Sequence, residues 1–328
     1  MKYLHSETYN YIFNMRNGFF ARWGETKYDD PDFSPFGPEI ADIEVSTICN
    51  VGCPWCYKEN NGEGVNMPLT TFKKVFSRLP PTLTQIAFGI GDVDGNPDLW
   101  SIFTHCLKNR VIPNITINGK RFNSDLATKL VRCCGAVAVS HYDNDECFDA
   151  VQLLSKQGLH QVNIHQLVAE STYDDCFNLL ENVRKDKRLK NLNAIVFLAL
   201  KQKGRGKKMK PMQEHKFTKL INEALERNIS IGFDSCSANK FLRATSTHPR
   251  YQQFKMMAEP CESACFSQYI NVEGIAYPCS FIEGQKSLKG INLLHVQDFL
   301  KEVWYSQEVK SFREKLLKRN RNCPEFDI

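Results

Sequence analysis

The chain has 328 residues, 42% of them hydrophobic, and 42 Lys and Arg against 37 Asp and Glu give a formal net charge of +5. This length and apolar content exclude a disordered or fibrous protein and fit one large α/β unit with an appendage. The mild charge excludes a strongly basic nucleic-acid binder, and no run approaches the roughly 18 consecutive apolar residues of a membrane span. The opening stretch MKYLHSETYNYIFNMRNG has no apolar core of signal-peptide type, which points to the cytoplasm. In that reducing compartment the 13 cysteines read as metal ligands, reactive thiols or buried fillers rather than disulfides.

Residues 1–38 form a segment with no recognisable pattern. From residue 39 onward, short runs rich in β-branched residues alternate with longer amphipathic stretches. The strands expected are 39–46, 84–90, 114–118, 136–141, 161–169, 193–200 and 229–235. Between them lie helical patterns at 70–79, 96–109, 123–134, 143–158, 172–186 and 212–228, several opening on Thr, Asn or Asp at a capping position. Strand and helix alternating six times predicts an α/β fold with a mainly parallel sheet, open or closed into a barrel. In such folds the chemistry collects at the C-terminal strand ends. That rule brings five segments to one mouth: the loop after the first strand, then GIGDVDG, INGK, SHYDN and FDSC. The alternation stops after residue 237, which divides the chain into 1–38, 39–237 and 238–328.

The loop after the first strand, EVSTICNVGCPWCYKENN, carries Cys49, Cys53 and Cys56. Three soft ligands on one short loop suit an iron-sulfur cluster or a zinc ion, and a fourth position stays open for a small molecule. The Cys-x3-Cys-x-aromatic-Cys spacing, with Trp55 as the aromatic, resembles the signature of the radical S-adenosylmethionine (SAM) superfamily. The resemblance implies a partial (βα)6 barrel of TIM type. It also implies a [4Fe-4S] cluster on Cys49, Cys53 and Cys56 with SAM chelated at the fourth iron. Reductive cleavage of SAM then gives a 5'-deoxyadenosyl radical, and the electron comes from a partner such as flavodoxin or ferredoxin. The family's Gly-Gly-Glu motif corresponds to Gly89, Gly91 and Asp92, an acid placed to neutralise the SAM ammonium beside glycines that allow close backbone approach. Trp55 also stands as a SAM-binding candidate. Asn118 and Ser140 read either as ribose and carboxylate contacts or as strand-end caps.

The stretch CESACFSQYINVEGIAYPCSF, residues 261–281, resembles the auxiliary-cluster extension called SPASM or, when shortened, twitch. It implies a β-hairpin at 268–279, a helix at 295–320 and a second [4Fe-4S] cluster on Cys261, Cys265, Cys279 and Cys323; zinc is the alternative occupant. Cys106, Cys133, Cys134, Cys147 and Cys176 fall on helical patterns and read as packing. Cys236 lies past the last barrel strand and stands as an auxiliary ligand, a buried thiol or a hydrogen-atom donor to a substrate radical. Asp234 is a substrate contact or acid-base candidate. His141 and His165 read as hydrogen-bonded strand residues.

The expected function is radical modification of a peptide or protein by epimerisation, isomerisation, crosslinking or oxidation. The 38 leading residues are too few for the peptide-binding domain that such enzymes often carry. A nucleoside or nucleic-acid base is the alternative substrate, suggested by the basic run KQKGRGKKMK at 201–210. A non-catalytic zinc or iron-sulfur protein is the rival from another class.

Overall fold

The computed structural model describes residues 1–285 and 288–328. Its N-terminal segment is a three-stranded antiparallel sheet of β1 (Lys2–Leu4), β2 (Asn10–Phe13) and β3 (Phe20–Trp23). The central unit then alternates strictly: β4 (Ile40–Glu44), α1 (Leu69–Phe76), β5 (Gln85–Gly89), α2 (Leu99–Lys108), β6 (Ile112–Ile117), α3 (Ser124–Cys133) and β7 (Ala136–Ser140). It continues through α4 (Asn144–Lys156), β8 (Val162–Val168), α5 (Tyr173–Lys185), β9 (Ala194–Ala199), α6 (Glu214–Glu226) and β10 (Ile231–Phe233). Neighbours from β4 to β10 pair in parallel and in sequence order, so the sheet is the expected partial barrel, open at β10.

The period of two along these strands separates packing from function. Ile43, Ile86, Phe88, Ile115, Ile117, Val137, Val139, Val162, Ile164, Ile195 and Phe197 are buried in the main core, where a fully buried side chain of this kind contributes about 1.5–3 kcal/mol. The intervening positions, Asp42, Glu44, Ala87, Gly89, Thr116, Ser140, His165, Leu167 and Leu198, face the interior of the barrel instead. Helix starts are fixed by side chains. Asn123 accepts from Leu126 N ahead of α3, and Asp143 accepts from Asp145 N and Glu146 N ahead of α4. Each such cap is worth about 1 kcal/mol. The Asp143 cap turns the chain directly after β7 and sets Tyr142 against Trp55, ring centroids 5.7 Å apart.

Beyond β10 the chain forms α7 (Ala238–Ala244), α8 (Tyr251–Met257), a hairpin of β11 (Ser267–Ile270) and β12 (Ile275–Tyr277), the short β13 (Ile291–Asn292) and α9 (Gln307–Lys318). The hairpin is where the sequence puts it, but it does not stand apart. β11 pairs in parallel with β4, so one ten-stranded sheet runs β10-β9-β8-β7-β6-β5-β4-β11-β12-β13 across the expected boundary. The single helix expected over 295–320 is broken: a π turn spans Leu300–Trp304, and Ser306 caps a fresh helix by accepting from Val309 N. Tyr9, Tyr11 and Phe13 of the leading sheet share a second core with Cys265, Phe266, Val309, Phe312 and Leu316. The first 38 residues thus form part of the packing of the C-terminal region. No helix of the described residues is long and apolar enough to cross a membrane.

Candidate active site

The C-terminal strand ends enclose a cavity of about 440 Å³. Cys49, Cys53, Trp55 and Cys56 from the loop after β4 line it, together with Gly89, Gly91, Asn118, Ser140, His165, Lys201 and Asp234. Cys53 and Cys56 act on one another: the neighbouring thiol together with burial raises the Cys53 thiol, while the same neighbour lowers Cys56 to about 5. Burial raises the Cys49 thiol, with Asp92 and Cys56 adding to it. Among the described residues no three His, Cys, Asp or Glu side chains converge as a single metal ion requires. Three soft thiolate donors on one loop are of the kind that holds an iron-sulfur cluster.

The loop is pinned from several sides. A Cβ on Gly91 would lie 2.2 Å from Ile48 O and 2.3 Å from Cys49 Cβ, so only glycine allows β5 to approach so closely. Asp92 is turned away from the cavity. One oxygen accepts from Asn50 N at 3.2 Å and Asn50 Nδ2 at 2.9 Å, and the other accepts from Asn118 Nδ2 at 2.8 Å. Asn118 also donates to Gly91 O and accepts from Lys120 N. Asp92 and Asn118 therefore hold the cysteine loop against β5 and β6.

Two ion clusters whose pairings the sequence did not reveal also border the cavity. Lys58, two residues after Cys56, lies 3.2 Å from Glu44, ion-pairs with Glu283 and donates to Tyr269 OH at 2.8 Å. Burial raises the Glu44 carboxyl; at Glu283 burial also pushes up, but hydrogen bonds from Lys58 and Asn271 outweigh it and leave the group lowered. Lys201, just past β9, is ion-paired with Asp234; burial alone would lower its ammonium, and the attraction of Asp234 more than restores it. Asp42 is open to the cavity yet surrounded by protein, and that burial lifts its carboxyl to about 6. Burial lowers His165 to about 4, so it is a neutral ring, with Thr116 Oγ1 3.5 Å from Nδ1. His141 is satisfied by Gln166 and Asn144 at 2.6 and 2.7 Å. Glu44 and Asp42 could have been noticed as acids inside an apolar strand; Lys58 and Lys201 carry no such signal.

The C-terminal cysteines divide differently from the sequence expectation. Cys236 and Cys261 act on one another, the first thiol raised and the second lowered, and Cys236 also raises Cys279 and Cys323. Cys265 is buried among Phe266, Val309 and Phe312, and the charged groups that act on it most are Arg321, Arg313, Asp32 and Arg22.

The basic run is largely internal. Lys201 is buried, Lys203 donates to Ser280 O and Glu283 O, and Arg205 donates to Cys53 O and Asn60 O. Only Lys207, Lys208 and Lys210 of its six cations are exposed.

No protein-family model matches the chain and no curated protein matches it. Solved structures do. SuiB of Streptococcus suis bound to S-adenosylmethionine superposes with a TM-score of 0.65 at 15% identity, covering 85% of this chain and 68% of SuiB. SuiB bound to its precursor peptide SuiA gives 0.64 at 13% identity over 84% of this chain and 66% of that one. The protein anSMEcpe, with AdoMet and the Cp18Cys peptide bound, gives 0.60 at 14% identity, covering 84% and 82%. The chain has the fold of these proteins.

Proposed function

We propose that the chain is a radical SAM enzyme that acts on a peptide or protein. The observation that carries this is the placement of Cys49, Cys53 and Cys56 on a single loop at the C-terminal mouth of a partial barrel, lining one cavity with Gly89, Gly91 and Ser140. Cys49, Cys53 and Cys56 would hold a [4Fe-4S] cluster, which with SAM bound would supply reductive cleavage of SAM to methionine and a 5'-deoxyadenosyl radical. The chain's own residues do the rest. Asp92 and Asn118 fix the loop, Gly89 and Gly91 keep its β5 flank free of side chains, and Trp55 with Tyr142 closes one side of the cavity. Lys201, Asp234 and the neutral His165 add polar groups to the cavity lining. They suit substrate contact and proton transfer after hydrogen abstraction.

The superposed SuiB and anSMEcpe structures hold peptides, which supports a peptide over a nucleoside. The basic run that suggested a nucleoside spends three of its cations inside the protein. For the auxiliary site the neighbouring thiols favour Cys236, Cys261, Cys279 and Cys323 as the ligand set, which takes Cys236 away from hydrogen donation and leaves Cys265 to packing.

Anaerobic reconstitution with iron and sulfide, followed by reduction in the presence of SAM, tests the reading. We expect 5'-deoxyadenosine and methionine in equal amounts. An intact cluster that yields neither would favour a non-catalytic iron-sulfur protein.

A further inference from the structure

The basic run at 201–210, open in sequence to reading as a solvated loop or as contact with an anionic partner, has a different use. Segment 201–206 crosses from the end of β9 to the cysteine loop and touches both thiol regions. Arg205 Nε donates to Cys53 O at 2.8 Å, its two terminal nitrogens reach Asn60 O at 3.2 and 3.3 Å, and its backbone N–H donates to Cys56 O at 3.1 Å. Gly204, at φ +55°, lies so close that a Cβ would meet Cys56 O and Tyr57 O at 2.6 Å. One residue earlier, Lys203 Nζ donates to Ser280 O at 3.3 Å and Glu283 O at 2.6 Å, in the segment that follows Cys279. Lys201 is paired with Asp234, two residues before Cys236. Tyr57 and Phe281 seal the junction with ring centroids 4.3 Å apart.

We propose that segment 201–206 is a brace that joins the loop of Cys49, Cys53 and Cys56 to the region of Cys236 and Cys279, with Arg205 as the positioning residue. A guanidinium suits the task because its fixed fork can satisfy two carbonyls at once, which an ammonium on a flexible stem cannot. Carbonyl oxygens of a tight loop otherwise need water, and near a cofactor site water is unwelcome. The brace also sets a permanent cation beside the first thiol group. Its meaning for chemistry rests on the proposed cluster reading; its mechanical part does not.

The test is hydrogen-deuterium exchange by mass spectrometry on the reconstituted full-length protein, combined with a reductive titration of the N-terminal site followed by electron paramagnetic resonance. Arg205→Gln should speed exchange over residues 53–60 by roughly tenfold or more, the loss expected when a charged hydrogen-bond donor is removed. It should also move the midpoint of the N-terminal site to more negative potential. Arg205→Lys should recover the midpoint, because the charge returns, but only part of the protection, because the fork does not. Gly204→Ala, which keeps every cation, should reproduce the faster exchange. Wild-type exchange over 53–60 in both Arg205→Gln and Gly204→Ala would overturn the brace. If no cluster can be reconstituted, the functional reading fails while the exchange data still decide the brace.

Discussion

The sharpest perturbation is Gly91→Ala, because its consequence is set by distances rather than by chemistry assumed for the site. The added methyl would stand 2.2 Å from Ile48 O, 2.3 Å from Cys49 Cβ and 2.9 Å from Cys49 Cα. Two of the three are backbone atoms, so no rotamer change relieves the clash. To reach ordinary van der Waals contact the loop must retreat by about 1 Å. Overpacking of this kind costs about 1–3 kcal/mol when the fold absorbs it. If the loop moves instead, a displacement of about 1 Å at a reacting site costs on the order of a hundredfold in rate. Gly89→Ala is the control, since its Cβ meets nothing nearer than Glu44 Cα at 3.4 Å. After anaerobic reconstitution, Gly91→Ala should hold less iron than wild type and lose most SAM cleavage, whereas Gly89→Ala should hold the wild-type amount of iron. Gly91→Ala with wild-type iron and wild-type cleavage would refute the argument that β5 fixes Cys49.

The other expectations concern the second thiol group, the buried pair and pH. Cys236→Ser should lose the auxiliary iron, and Cys265→Ser should keep it; metal analysis that shows the reverse restores Cys265 as a ligand. Lys201→Met should destabilise the protein by about 3–5 kcal/mol in a denaturant titration, because it leaves Asp234 without its buried cation, and Lys201→Met/Asp234→Asn should recover part of that loss. His165 has a folded pKa of about 4 against an ordinary 6.5, so the unfolded chain binds more protons between those values. Stability contributed by the neutral ring is therefore full above pH 6.5 and falls as pH drops toward 4, by about 3 kcal/mol in all. His165→Gln should lack this component when the two proteins are unfolded side by side across that range; parallel curves would show that His165 does not titrate as its burial implies. Finally, substrate binding should be insensitive to salt, since only Lys207, Lys208 and Lys210 of the basic run remain exposed to screening; a steep salt dependence would return the run to substrate capture.

The barrel was legible because each strand is a β-branched run and each helix an amphipathic stretch opened by a cap, signals that depend on residues close in sequence. The three-thiol loop could be singled out for the same reason: its spacing is local. What the sequence does not display is how side chains far apart in it pair. Asp92 reads as an acid at a ligand site, yet Asn50 and Asn118, 42 and 26 residues away, claim its oxygens. Lys203 and Arg205 read as free cations until carbonyls 77 and 152 residues distant are brought beside them. Residues 1–38 showed no pattern because their strands are three or four residues long and acquire a core only from α9 and the segment at Cys265. Cys265 stood as a ligand through the resemblance, and burial in the aromatic core, which it shares with Cys261, is a partner effect that sequence does not display.

Register accounts for why the first thiol loop and the residues that follow Cys279, Ser280 and Phe281, border the same cavity. β4 ends at Glu44, five residues before Cys49, and β11 is bound along its other side with Ser267 opposite Ile40 and Ile270 opposite Ile43. This pairing sets Tyr269 across from Asp42 and lets its hydroxyl reach Glu44 at 3.3 Å, the residue that also holds Lys58. A slip of one residue would turn Tyr269 to the opposite face of the sheet and break that contact, so the hairpin has one acceptable register. The strand that delivers the first thiol loop is therefore the strand that positions the hairpin leading to Cys279. Segment 201–206 then closes the circuit from the far side of the barrel, through Arg205 to the first loop and Lys203 to the second. Two thiol groups at least 180 residues apart in sequence are fixed relative to one another by β4 on one side and by this segment on the other.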